Sequence, residues 1–210
     1  MCSGHLSSAI RKNCEKASPL PLSYDDDFVA QLDEFIPHLK VAEFTGGDPF
    51  LIDIYYKIWE KIYHLNPNCN ILITTNANTM NDKVKALIEK HKKISFNISI
   101  DSLNKEVYES IRVNAIFENV MKNINTFIEY SRKHNTHVNL MICPLRKNWK
   151  ELPHFITFCN QKDINAHFHT VVKPPNLSLW SLPASELGEI YNYLAEFNFP
   201  ENSITEQQNK

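Results

Sequence analysis

Gly46 and Gly47 stand side by side in Phe44-Thr45-Gly46-Gly47-Asp48-Pro49-Phe50, within a chain of 210 residues that contains only 4 glycines. A glycine pair closing a strand frees the backbone dihedrals and lets a ligand approach the main chain closely. Asp48 adds a carboxylate at the rim, and Pro49 suits the first turn of a following helix. The same residues would also serve as a plain strand-to-helix turn. Ser99 and Asp101 lie two apart in an extended run and so face one side. A hydroxyl and a carboxylate placed there could hold the two hydroxyls of a ribose, or Asp101 or Ser102 could cap the helix entered through Leu103-Asn104-Lys105. His167 and His169 alternate on one strand and could ligate a metal, although no third ligand is near in sequence; barrel lining or packing is the other reading. Cys143, before Pro144, either lines a cavity or is an inert buried thiol. Arg146 either meets an anionic substrate or only precedes a helix capped by Asn148. Trp180 and the proline-rich stretch 174–183 could pack substrate or a following domain, or simply wrap the core.

Chemistry at these positions needs elements that bring them to one end of a scaffold. Short β-branched or aromatic runs predict strands at 41–45, 70–75, 95–100, 137–142 and 166–172. A 3.6-residue apolar beat predicts helices over 50–65 (Leu51, Ile54, Tyr55, Ile58, Trp59, Ile62, Leu65), 81–91 and 116–133. Further helices are expected at 25–39, opened by Asp25-Asp26-Asp27 at the positive end of the helix dipole, at 149–162 and at 184–197. Such alternation predicts an α/β fold with a parallel sheet and helical crossovers, with ligands at the carboxyl ends of the strands. Those ends carry Thr45 to Asp48, Thr74-Thr75-Asn76, Ser99 with Asp101, Cys143 to Arg146, and His167/His169.

The remaining composition excludes several classes. A formal charge of −2 offers no basic footprint for nucleic acid or an anionic membrane. No apolar run reaches the length of a membrane span, and no signal peptide opens the chain. Five cysteines (Cys2, Cys14, Cys69, Cys143, Cys159) at no paired spacing suit a reducing compartment, so a cytoplasmic location is expected.

Taken in order, Thr45-Gly46-Gly47-Asp48-Pro49-Phe50, then Ile73-Thr74-Thr75-Asn76, then the run from Ser99-Ile100-Asp101-Ser102 to Ile111-Arg112 resembles the core of a radical S-adenosylmethionine (AdoMet) enzyme. The resemblance extends from Met1 to about Pro183 and is nearest the branch that also carries a SPASM or twitch domain. It implies a partial (β/α)6 TIM-like barrel. It implies that Gly46, Gly47, Asp48 and Pro49 receive the amino group of the AdoMet methionine, that Asn76 borders the pocket, and that Ser99 and Asp101 lie near the ribose. Arg112 would meet the methionine carboxylate, unless it pairs with Glu109 on its own helix. The implied activity is reductive cleavage of AdoMet by a [4Fe–4S] cluster to a 5′-deoxyadenosyl radical, then hydrogen abstraction from a peptide or small-molecule substrate. An electron donor such as flavodoxin or ferredoxin would be a partner.

One departure matters. The family holds its cluster with three thiolates, usually Cys-x3-Cys-x2-Cys after the first strand, and this chain has no such triplet. Cys2 sits where the last of the three would be. The family's first strand is also missing, leaving five parallel strands. The sequence is therefore expected to begin at an internal methionine of a longer reading frame, and to be inactive as it stands because two cluster cysteines are missing. The expected organisation is a radical SAM core over 1–183, a helix over 184–198 leading toward an absent or reduced auxiliary domain, and a polar tail over 199–210 that frays. The alternatives are a non-catalytic remnant and an α/β module that binds a nucleoside or a protein partner.

Overall fold

A computed structural model describes residues 8–21 and 24–209. Cys2, the candidate cluster ligand, lies outside the described residues. In chain order the elements begin with α1 (Ser8–Asn13), α2 (Asp26–Gln31), β1 (Val41–Phe44), α3 (Asp53–Leu65), β2 (Asn70–Thr75), α4 (Asp82–Lys90) and β3 (Ile94–Ser99). They continue with α5 (Lys105–Ile111), α6 (Phe117–His134), β4 (Val138–Ile142), α7 (Leu152–Lys162), β5 (Asn165–Phe168), α8 (Ala184–Ala195) and α9 (Ile204–Asn209). The five strands form one open parallel sheet in the order β1-β2-β3-β4-β5, as the strand–helix alternation predicts. Parallel strands need crossovers, and α3 to α7 supply them.

Two compact units divide the chain: the described residues of Cys2–Phe96 with Glu129–His137, and Asn97–Ile128 with Val138–Lys210. In the first, β1 pairs β2 from Val41↔Asn70 to Phe44↔Ile73. Trp59 of α3 is fully buried and gathers the rings of Phe44, Phe50, Tyr55 and Tyr56 at centroid distances of 5.2, 6.2, 6.1 and 4.9 Å. The helix expected over 25–39 is shorter. Asp25 caps it through Phe28 N (3.0 Å), α2 ends at Gln31, and 3-10 turns follow at Leu32–Glu34 and Ile36–His38. Pro37 lacks an N–H and disfavours a helical residue before it, so the α-helix cannot run through.

In the second unit, β4 pairs β5 from Asn139↔Asn165 to Ile142↔Phe168. Alternate residues Val138, Leu140 and Ile142 are buried, while Asn139 and Met141 are half-buried. On that half-buried face Asn139 Nδ2 donates to Asn97 Oδ1 (2.8 Å) and Asn165 Nδ2 to Asn139 Oδ1 (3.1 Å), an amide ladder that pins register across three strands. The polar stretch expected to fray contains α9. Asn209, 3% exposed, accepts from Ala166 N (2.7 Å) and donates to Ile164 O (3.0 Å) and Asn160 Oδ1 (2.8 Å). One amide thus satisfies backbone groups of the terminal strand β5, an anchor that owes nothing to apolar periodicity.

His91, at the end of α4, gives the first unit a pH dependence. Burial lowers its pKa from 6.5 to about 4, Lys90 adding to the effect. The unfolded chain therefore binds a proton that the fold refuses, so stability is complete above pH 6.5 and is lost as pH falls toward 4. We expect a loss of roughly 1.5 kcal/mol between pH 6.5 and 5. Urea titrations at those two pH values should show it, and the same titrations on His91→Gln should show a smaller difference.

Candidate functional site

Two polar clusters stand at strand ends, one in each unit. The first is the turn after β1. Gly46 and Gly47 both take positive φ, +85° and +48°, the conformations for which a glycine pair is needed. A Cβ on Gly46 would meet open space, so backbone conformation rather than crowding selects glycine there. Asp48 is buried, and Pro49 opens a 3-10 turn, Pro49–Leu51, capped by Asp48. Asp48 Oδ1 accepts from Phe50 N (3.2 Å) and from Thr75 Oγ1 (3.1 Å), while Oδ2 is buried with no hydrogen-bond partner. Burial raises the Asp48 pKa, against the bonds from Phe50 N and Thr75 Oγ1 and the nearby Asn76 main chain, which lower it. The result is a carboxylate short of one positive neighbour.

Thr75 ties this turn to the end of β2. Its hydroxyl also accepts from Ala77 N (3.1 Å), and Ala77, buried, sits at φ +57°. The Asn76 side chain accepts from Asn78 N (2.9 Å), forming a turn of its own next to Thr75. Asn76, expected at the pocket border, is therefore beside Asp48 through its main chain, and Thr75 is the side chain that makes the contact.

The second cluster follows β3, which Ser99 ends. Asp101 is 3% exposed. Its Oδ2 accepts from Arg112 Nε at 2.7 Å and its Oδ1 from Cys143 N at 3.3 Å. Burial would lower the Arg112 pKa, but Asp101 more than offsets it and holds the guanidinium above its ordinary value. Two alternative readings fall away here. Asp101 does not cap the next helix, because Asn104 does so through Val107 N (3.0 Å). Arg112 pairs with Asp101 rather than Glu109, whose carboxylate accepts from Phe117 N (3.1 Å). A salt bridge across a strand end outcompetes one along a helix surface because the strand-end carboxylate is buried and needs the charge.

Asn148 and Glu151 complete the cluster, and neither is a site residue in the sequence reading. Asn148, fully buried, donates through Nδ2 to Asp101 O (2.5 Å) and Cys143 O (2.9 Å) and accepts from Leu145 N (2.6 Å). It does not cap the Trp149–Glu151 turn with its side chain. Glu151 accepts from Ser102 Oγ (2.7 Å), Leu103 N (2.9 Å) and Asn104 N (3.3 Å). The only signal for Asn148 in the sequence is an Asn before a helix, which reads as a cap. Arg146 is occupied by the 178–181 segment, donating to Ser178 O (3.4 Å) and to Ser181 O (3.3 Å) and Oγ (3.1 Å).

The chain has counterparts among known proteins. The sequence pattern of the Radical SAM superfamily matches residues 12–159. The chain belongs to the radical SAM superfamily. GTP 3′,8-cyclase of Aliarcobacter butzleri (strain RM4018) is 27% identical over 154 residues, 70% of this chain and 44% of that protein. GTP 3′,8-cyclase of Limosilactobacillus fermentum (strain NBRC 3956 / LMG 18251) is 32% identical over 125 residues, 59% of this chain and 36% of that protein. The chain thus spans less than half the length of these curated relatives. Streptococcus suis SuiB bound to the precursor peptide SuiA superposes at a TM-score of 0.57 with 14% identity, over 80% of this chain and 38% of SuiB. Native anSMEcpe with bound AdoMet and Cp18Cys peptide superposes at 0.58 with 17% identity, over 84% of this chain and 52% of that one. These structures share the fold, the partial barrel of the radical SAM type.

For a radical SAM chain, the two implied groups fit its described residues differently. An ammonium-bearing ligand such as AdoMet fits the first cluster, where Asp48 Oδ2 is buried without a partner. The described residues by themselves do not hold a [4Fe–4S] cluster: among them no three His, Cys, Asp or Glu side chains come together to hold a metal, His167 and His169 included, and Cys2 lies outside them. Burial pushes the Cys159 thiol up to about 12 and raises that of Cys69, the reverse of what a thiolate ligand needs. No helix of the described residues is long and apolar enough to cross a membrane.

Proposed function

We propose that this chain is the AdoMet-binding part of a radical SAM core that acts on a peptide or small-molecule substrate. The observation that carries the reading is the Asp48 carboxylate, buried after a Gly-Gly turn with one oxygen unsatisfied. Asp48 would accept the methionine ammonium, with the main-chain carbonyls of the Gly46–Gly47 turn beside it. Arg112, in the other unit, keeps its terminal nitrogens for an anion, because its Nε is committed to Asp101. Ser99 would meet the ribose, with Asp101 beside it as the group that holds Arg112. Bound AdoMet supplies the family's one-electron chemistry when a [4Fe–4S] cluster is present. The protein's share is to bind and orient it.

A second reading, a nucleoside-binding module without the radical step, is favoured by the lack of a thiolate set among the described residues. Calorimetric titration tests the first reading. AdoMet should bind 1:1 and more tightly than 5′-methylthioadenosine, which lacks the amino-acid portion. Equal affinity for both would favour the nucleoside module, and no heat with either would overturn both.

A further inference from the structure

The turn that holds Asp48 is braced from α3 by two consecutive phenols. Tyr55 Oη donates to Thr45 O (3.2 Å), immediately before the glycine pair. Tyr56 Oη donates to Phe50 O (3.0 Å), immediately after Pro49. Both rings rest edge or tilted on the fully buried Trp59, so the two hydroxyls are set by the core and not by the turn. Burial pushes the Tyr56 phenol up to about 12, with Asp48 and Asp53 adding to the effect, so it remains a donor throughout the working pH range. Consecutive helix positions point about 100° apart and seldom serve one loop. Here they grip its two ends, because the turn spans α3 at its start. The Gly46–Gly47 pair between those grips is the most permissive backbone in the turn, and both residues sit at positive φ.

We infer that Tyr55 and Tyr56 are positioning residues that fix the Gly46–Asp48 turn for the amino-acid end of AdoMet. They anchor Thr45 O and Phe50 O, and since Asp48 O and Pro49 O accept from Leu51 N and Ile52 N, the Gly46 and Gly47 carbonyls are the ones presented to the ligand, the glycine pair being kept from relaxing out of its left-handed conformation. The inference rests on the reading of this turn as an AdoMet site. It goes further by assigning the turn's geometry to side chains outside it that touch no ligand.

The experiment compares two probes on the full chain and on Tyr55→Phe and Tyr56→Phe. A lost neutral hydrogen bond should weaken AdoMet binding roughly 5- to 10-fold in each variant. Affinity for 5′-methylthioadenosine, which has no amino-acid end, should stay within about 2-fold. A merely structural role would lower the melting temperature and weaken both probes together, or neither, and either result overturns the inference. Failure of the parent chain to bind AdoMet at all would overturn the site assignment first, and this inference with it. If Tyr56→Phe does not fold, Tyr55→Phe, whose hydroxyl bond lies at the surface, decides the question by the same comparison.

Discussion

Asp48→Asn should leave the chain folded and at least as stable as the parent at pH 7, yet lower its affinity for AdoMet roughly 100-fold. The reasoning starts from the raised pKa of a buried carboxylate whose Oδ2 has no partner. A carboxyl with a raised folded pKa contributes most stability below its unfolded value of 3.8 and loses that contribution as pH rises through the folded value. The ionised form of Asp48 is therefore a cost to the empty fold. Asparagine keeps the acceptor for Phe50 N and Thr75 Oγ1 while removing the charge. A cationic ammonium offsets that cost only in the complex, so the charge is worth more to binding than to folding. Thermal melts with and without AdoMet check both halves. The ligand-induced rise in melting temperature should vanish in the variant while its ligand-free melting temperature holds or increases. A destabilised variant with unchanged AdoMet affinity would reduce Asp48 to the cap of a short turn.

Asp101→Ala should cost about 3 kcal/mol of stability, the lower end of what breaking a buried ion pair costs, because the Arg112 side chain is 28% exposed and partly screened. For a chain of this size that is a fall of roughly 6 to 12 °C in melting temperature. The loss has two parts, an unpaired guanidinium and the lost bond from Cys143 N, while the Asn148 bond to the Asp101 main-chain carbonyl stays. Arg112→Ala should cost at least as much, since it leaves the more deeply buried Asp101 carboxylate without its counter-charge. The double variant should fall short of the sum by about 1.5 kcal/mol or more, the signature of direct coupling. Arg112→Lys should not restore the parent, because a point charge cannot serve Asp101 through Nε and leave a planar fork for a second anion. Additive losses would show that the 2.7 Å contact contributes nothing of its own.

The two variants also separate the roles of the two acids. Asp48 has an oxygen to spare and Asp101 has none, both of its oxygens being engaged by Arg112 and Cys143. Identical carboxylates at comparable strand ends should thus act in opposite directions on stability.

The sequence by itself determined the kinds of element and their order. Short β-branched or aromatic runs marked the strands and period 3.6 marked α3 and α6, because side chains that must leave water gather on the buried side of each element. It also located the turn at Gly46–Pro49, since two adjacent positive-φ residues are rarely anything but glycine. Tertiary structure alone decided the partnerships. Arg112 chose Asp101 over Glu109, Asn148 became a buried link between the ends of β3 and β4 instead of a cap, and Asn209 anchored a stretch with no apolar pattern to the edge of β5. Tyr55 and Tyr56 read as one apolar helix position and its neighbour, yet they hold the two ends of a turn. The physical reason is common to all four. Burial of an apolar side chain depends on the local repeat, but a polar side chain goes to whichever unsatisfied donor or acceptor folding brings within about 3 Å, and that neighbour is usually far away in the sequence.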